Sequence, residues 1–232
     1  MKGYPDGTFR PMQPITRAEA VIVLHRSMLE GQKPIHIAAL GDSLTAGFGD
    51  ETNIGYVHRL GKELRARTHL PIYVRANFAV VGQKTTDVLE MLEDTEKNMK
   101  AHTILKQANI IVMTIGGNDI YRLGEPLDVA VVSARMPTAR ERVKKILTNV
   151  RTINPTAHIT YVGLYNPFDA SASKLIQQWN DAIAQRVEDK NMTVVSDIFP
   201  NDITPYLAWD KYHLKGKFIK KTQIPLGIRI PY

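Results

Sequence analysis

The chain has 232 residues, 44% apolar and 23% charged, enough to bury one full domain core with residues to spare. It contains no cysteine, which excludes disulfides, thiolate metal sites and a cysteine nucleophile. Lys and Arg (30) exceed Asp and Glu (23) for a net charge of +7, yet no nucleic-acid motif accompanies the excess, and no apolar run reaches the roughly 18 residues of a membrane span. The basic residues are spread out, as in Arg140, Arg142, Lys144 and Lys145, and are densest at Lys215, Lys217, Lys220 and Lys221. They read as a solvated surface, or more sharply as one drawn to an anionic cell wall or lipid headgroups.

The first residues, Met1-Lys2-Gly3-Tyr4-Pro5-Asp6, lack the apolar stretch of a secretory leader, so the reading is a cytosolic chain or the mature part of an exported precursor. Gly3–Thr8 is turn-rich. Thr16 and Glu19 then have capping-box spacing and open a helix. Gly31-Gln32-Lys33-Pro34 is a short linker, which predicts a division into residues 1–32, a main domain 33–218 and a tail 219–232.

From Ile35 strands and helices alternate. Ile35–Leu40 is the first strand, and Val57, Leu60 and Leu64 mark a helix. Pro71–Val81 is the second strand with its exit loop, and Val88, Leu89 and Leu92 mark another helix. Asn109–Ile115 is a buried strand. Val143, Ile146, Leu147 and Val150 recur at helical spacing, His158–Gly163 is a fourth strand, and Ile176, Trp179, Ile183 and Val187 form a helical core stripe. Met192–Ser196 is the fifth strand. This alternation predicts an α/β fold with a five-stranded parallel sheet and helices on both faces, three layers in all.

Polar and glycine residues gather where these strands end. Ser43 follows the first strand in Gly41-Asp42-Ser43-Leu44-Thr45-Ala46-Gly47. Gly82 follows the second, Gly116-Gly117-Asn118-Asp119 the third, and Asp210 and His213 lie past the fifth. Carboxyl ends of a doubly wound sheet converge on one crevice. Ser43 alone would read as a turn residue. In this company it reads as a nucleophile, with His213 as the base that takes its proton and Asp210 as the carboxylate that orients the imidazole. The N–H groups of Ser43 and Gly82 and the Asn118 amide could face an oxyanion, and Gly82 has no side chain to crowd that spot. Asp42 and Asp119 read as structural, bonding nearby backbone in turns. Asp50-Glu51 is a loop charge pair with at most weak cation binding. The remaining histidines read as surface or satisfied core residues.

These blocks, in this order over about residues 35–216, resemble the SGNH hydrolase superfamily of GDSL esterases and lipases, specifically its bacterial lipase/acylhydrolase branch. The resemblance implies a flavodoxin-like sheet, a catalytic triad of Ser43, His213 and Asp210, an oxyanion hole of Ser43, Gly82 and Asn118, and no metal or organic cofactor. The N-terminal Gly3-Tyr4-Pro5-Asp6-Gly7-Thr8-Phe9-Arg10-Pro11 with Ile15-Thr16-Arg17-Ala18-Glu19 resembles the later half of an S-layer homology motif. That implies a parent protein at the surface of a Gram-positive bacterium, with weak contact to wall polymer.

The C-terminus departs from the SGNH pattern: Thr222–Tyr232, with two prolines and a glycine, cannot form the usual closing helix. This predicts a His213 held less firmly than in the family. Three functions follow. The first is a serine esterase or lipase acting on small-molecule or lipid esters. The second is an O-acetyl esterase acting on wall or plant polysaccharide. The third is an inactive surface-binding relative. Loops near Tyr121, Arg122, Leu164, Tyr165 and Phe168 would build the acyl pocket, and their apolar content leans towards an acyl chain.

Overall fold

The computed structural model describes residues 16–17, 21, 33–52, 54–122, 126–168, 170–185, 189–196, 203, 205, 207–208, 210 and 213–215. The chain divides into two compact units, Met1–Pro34 and Ile35–Tyr232. In the first, Arg17 and Val21 are helical; Glu19 of the expected capping box lies outside the described residues. So do the expected tail 219–232 and Val187 of the core stripe.

The second unit is built on five strands: β1 (Ile35–Gly41), β2 (Ile72–Ala79), β3 (Ile110–Thr114), β4 (His158–Val162) and β5 (Met192–Val195). All neighbours pair in parallel, in the order β2-β1-β3-β4-β5. This is the flavodoxin-like order. The helices are α1 (Ser43–Ala46), α2 (Gly55–Thr68), α3 (Thr85–Glu93), α4 (Met99–Gln107), α5 (Gly117–Ile120), α6 (Val129–Ile153) and α7 (Ser173–Ala184), with a 3₁₀ turn at Ala170–Ala172. Among the described residues no helix is long and apolar enough to cross a membrane.

The central strands are buried on both faces, which is why their sequences read as continuous apolar runs. Alternate residues serve opposite cores. Ala38, Leu40, Ile111, Met113, Ile159 and Tyr161 pack with Val88 of α3, Val143 and Ile146 of α6 and Trp179 of α7. Ile37, Ala39, Ile110 and Val112 pack with Val57 and Leu64 of α2 and with Ile203, Leu207 and Leu214 near the C-terminus. Trp179 is fully buried, yet its indole N–H donates to the Tyr161 hydroxyl at 3.1 Å, which donates to the Ile115 carbonyl at 2.7 Å. Both aromatic polar ends are thus satisfied inside the core.

Two elements differ from the sequence reading. Helix α6 starts well before its apolar stripe: the Asp128 carboxylate caps it by accepting from the Ala130 and Val131 N–H groups at 2.9 and 3.0 Å. It also carries Pro137 in its interior, where the missing N–H forfeits one helical bond. Packing along the rest of the helix outweighs that local signal. Helix α4 has no clean apolar stripe in the sequence because one of its buried positions is His102. Its Nε2 has no hydrogen-bond partner among the described residues, against the expectation of a satisfied histidine.

The strand order reverses between β1 and β3, since β1 is followed by β2 on one side and β3 by β4 on the other. Such a reversal opens a crevice at the carboxyl ends of these two strands. Ser43 and Asn118 stand immediately past them.

Candidate active site

Gly41 ends β1 with φ of +122°, and a Cβ there would fall 2.0 Å from the Thr114 carbonyl oxygen. Only glycine permits this approach of β1 to β3. The next residue, Asp42, caps α1: its Oδ1 accepts from the Leu44 N–H at 3.2 Å and from the Thr114 hydroxyl at 2.5 Å. Ser43 is therefore the first helical residue after a sharp strand exit, and it is buried.

The Thr114 proton is committed to Asp42, so in the 2.7 Å contact between Thr45 and Thr114 the Thr45 hydroxyl donates. Tyr56 then donates to Thr45 at 2.9 Å, and the Thr114 N–H adds a further bond to the Thr45 oxygen at 2.9 Å. Asp42, at the exit of β1, and residues from α1, α2 and β3 are locked behind the serine by this hydrogen-bonded chain. Burial pushes the Asp42 carboxyl up to about 6, against the opposing pull of the bonds from Thr114 and Leu44. The sequence reading of Asp42 as a turn-bonding residue is correct for Leu44 but omits Thr114, 72 positions away.

His213 Nε2 lies 2.7 Å from Ser43 Oγ. Its Nδ1 is hydrogen-bonded to Asp210 Oδ2, while its backbone N–H donates to Asp210 Oδ1 at 3.0 Å. The weak hold expected from the altered C-terminus is not what the structure has. Leu207 and Leu214 form an antiparallel bridge, and the Ala208 N–H donates to the His213 carbonyl at 2.6 Å. Both leucines are buried in the second core. The Phe48 ring meets the His213 imidazole edge-on, with centroids 4.7 Å apart. A leucine-anchored bridge and an aromatic neighbour thus fix the histidine loop.

Asn118 lies in α5 and donates through Nδ2 to the Gln83 carbonyl at 2.9 Å. Gly82 occupies the third position of a turn closed by the Gln83 N–H to the Val80 carbonyl at 3.1 Å, with φ of +81°. That position of a type II turn favours glycine. A Cβ on Gly82 would meet no protein atom within 4 Å, so what requires glycine among the protein's own contacts is the backbone conformation. Asp119 also departs from its expected local role. It accepts from the N–H and hydroxyl of Thr85, at the start of α3, at 2.9 and 2.6 Å, with the Arg142 guanidinium 3.7 Å away. It ties the Asn118 turn to α3 across 34 positions of sequence.

Elsewhere, the Asp50 carboxylate is filled by protein donors: the N–H and hydroxyl of Thr52, the Gly55 N–H and Arg59 Nη2. Burial opposes its charge, but these bonds hold the carboxyl below the usual range. That leaves no call for the cation weighed at this loop. Sequence reasoning did not single out Thr45, Phe48, Tyr56, Gln83, Thr85 or Thr114. Their roles depend on contacts between distant segments, for which no spacing in the chain gives a signal.

YpmR, an uncharacterized protein of Bacillus subtilis (strain 168), is 30% identical to this chain over 215 residues, 82% of this chain and 83% of its own. Among solved structures, the lipase Lip_vut3 from a goat rumen metagenome superposes with a TM-score of 0.70 at 24% identity, covering 81% of this chain and 95% of the lipase. An acetylxylan esterase from Geobacillus stearothermophilus gives a TM-score of 0.58 at 17% identity, over 80% of this chain and 89% of that one. A family 3 carbohydrate esterase from Clostridium thermocellum gives 0.58 at 18%, over 82% and 91%. At these identities the structural likenesses establish the fold alone. Residues 1–21 match the S-layer homology domain. Residues 39–217 match the GDSL-like lipase/acylhydrolase family, which together with the YpmR similarity shows that this chain belongs to that family and is a hydrolase of the GDSL type.

Proposed function

We propose that the chain hydrolyses carboxylic esters through a covalent acyl-enzyme on Ser43. The observation that carries this reading is the continuous hydrogen-bonded line from Ser43 Oγ through His213 to Asp210. Ser43 Oγ attacks the ester carbonyl carbon while its proton passes to His213 Nε2. The Asp210 carboxylate accepts from Nδ1–H and stabilises the imidazolium. The oxyanion is met by the Ser43 N–H, which at the first helical position lacks an intrahelical acceptor, by the Gly82 N–H and by Asn118. The Asn118 amide has two N–H groups, and one of them is engaged by Gln83. Collapse breaks the ester C–O bond, and the alcohol leaves with the proton from His213. Water then repeats the sequence and releases the acid.

The same 2.7 Å contact favours an enzyme over the inactive binding relative, since a general base must lie within hydrogen-bond reach. The S-layer homology match at residues 1–21 supports a place at the bacterial cell surface. A fluorophosphonate probe should label Ser43 once per chain. Ser43→Ala should abolish labelling and lower kcat by on the order of 10³ or more with the fold intact. Full ester turnover by Ser43→Ala would refute the proposal.

A further inference from the structure

The geometry points to an esterase specific for very short acyl groups, acetyl above all, with Tyr121 as the wall that sets the limit. This rests on the ester-hydrolase reading of Ser43. The partly open cavity beside Ser43 and Asn118 measures about 30 Å³, and Tyr121, Leu164, Tyr165 and Pro167 are among the residues that line it. An enclosed water alone takes about 10–15 Å³ of such space. A methyl group on the acyl carbon fits in that space, whereas a chain of several methylenes exceeds it and has to leave the lined part of the cavity.

The walls are pinned. The Tyr121 N–H donates to the Gly117 carbonyl at 3.1 Å, and its ring meets Phe168 edge-on with centroids 5.1 Å apart. The Tyr121 hydroxyl lies over Gly117, 2.8 Å from where a Cβ on that residue would stand. Leu164 is held at both ends by Asn180, whose Oδ1 accepts from the Leu164 N–H and whose Nδ2 donates to the Leu164 carbonyl, each at 2.8 Å. A close-packed wall fixed in this way has little room to yield to a longer chain. The apolar composition of Leu164–Phe168 thus encloses the acyl carbon rather than lining a channel for a fatty chain.

The test is hydrolysis of p-nitrophenyl acetate, butyrate and octanoate by the full chain. The wild type should prefer acetate to octanoate by on the order of 10²-fold in kcat/KM, the scale on which apolar pockets discriminate methylenes. Tyr121→Ala should reduce that ratio by about tenfold or more. If Tyr121→Ala does not fold, Tyr121→Leu trims the same wall and should shift the ratio in the same direction. Octanoate turned over as efficiently as acetate, or an acetate-to-octanoate ratio unmoved by a folded Tyr121 variant, would overturn the acyl limit and leave the esterase reading standing. No hydrolysis of any ester, together with no fluorophosphonate adduct on Ser43, would overturn both.

Discussion

The Thr114 hydroxyl donates to the Asp42 carboxylate at 2.5 Å, joining the ends of the two central strands directly behind Ser43. Burial raises the folded Asp42 carboxyl from its ordinary 3.8 to about 6. Between about pH 4 and pH 6 the folded chain therefore holds a proton that the unfolded chain has lost, so Asp42 makes stability fall as pH rises through that window and level off above it. Urea unfolding of wild type and Asp42→Asn across pH 4–7 should show this slope in the wild type and its loss in the variant. Thr114→Val removes a bond that favours the charged form, and should cost about 1–3 kcal/mol at pH 7. A wild-type advantage over Asp42→Asn that grows with pH across the window would contradict this account.

Asn118→Ala should lower kcat by about 10²–10³ and change KM little, because in the proposed mechanism the amide serves the oxyanion more than the bound ester. Steady-state kinetics on a chromogenic ester decide the matter. A rise confined to KM would make Asn118 a substrate-binding residue.

Asp210→Asn tests the tautomer of His213. The new side-chain oxygen can still accept from the His213 backbone N–H, but an NH₂ would then face Nδ1. Nδ1 would become the acceptor, and Nε2 would carry a hydrogen towards Ser43. The expected loss in kcat is on the order of 10³–10⁴ with an unchanged melting temperature. A loss well below about 10²-fold, the low end for general-base assistance, would remove Asp210 from the proposed triad.

Gly82→Ala should destabilise by about 1–2 kcal/mol and Gly82→Val by more, since φ of +81° strains any L side chain and a β-branched one most. Both should reduce kcat if, as proposed, the Gly82 N–H meets the oxyanion. Thermal melts and kinetics on the pair provide the check. A Val variant far worse than Ala in kcat per folded molecule would show that a side chain there also crowds the site.

The fold was readable because the central strands are short apolar runs set off by turn residues, while the edge strand β2 is interrupted by Arg75 and Asn77. A parallel sheet buried on both faces leaves that imprint whatever the details of packing. Its weak points were local: Pro137 hid the first half of α6, and the buried His102 blurred the stripe of α4.

In the site, the strand ends at Gly41, Gly82 and Gly117-Asn118 and the pair Asp210 and His213 were legible as chemistry-bearing residues, because each lies in a short segment whose residue types serve one reaction. The sequence by itself determined the alternating α/β architecture, the family and the identity of these candidates. Only the tertiary structure decided that Leu207 and Leu214 hold His213 within 2.7 Å of Ser43 despite the altered C-terminus. It alone joined Tyr56, Thr45, Thr114 and Asp42 into one hydrogen-bonded chain, and it alone narrowed the cavity beside Ser43 to about 30 Å³. Residue types and spacing carry local chemistry, whereas distances between segments 70 or more residues apart exist only once the sheet has brought their ends together.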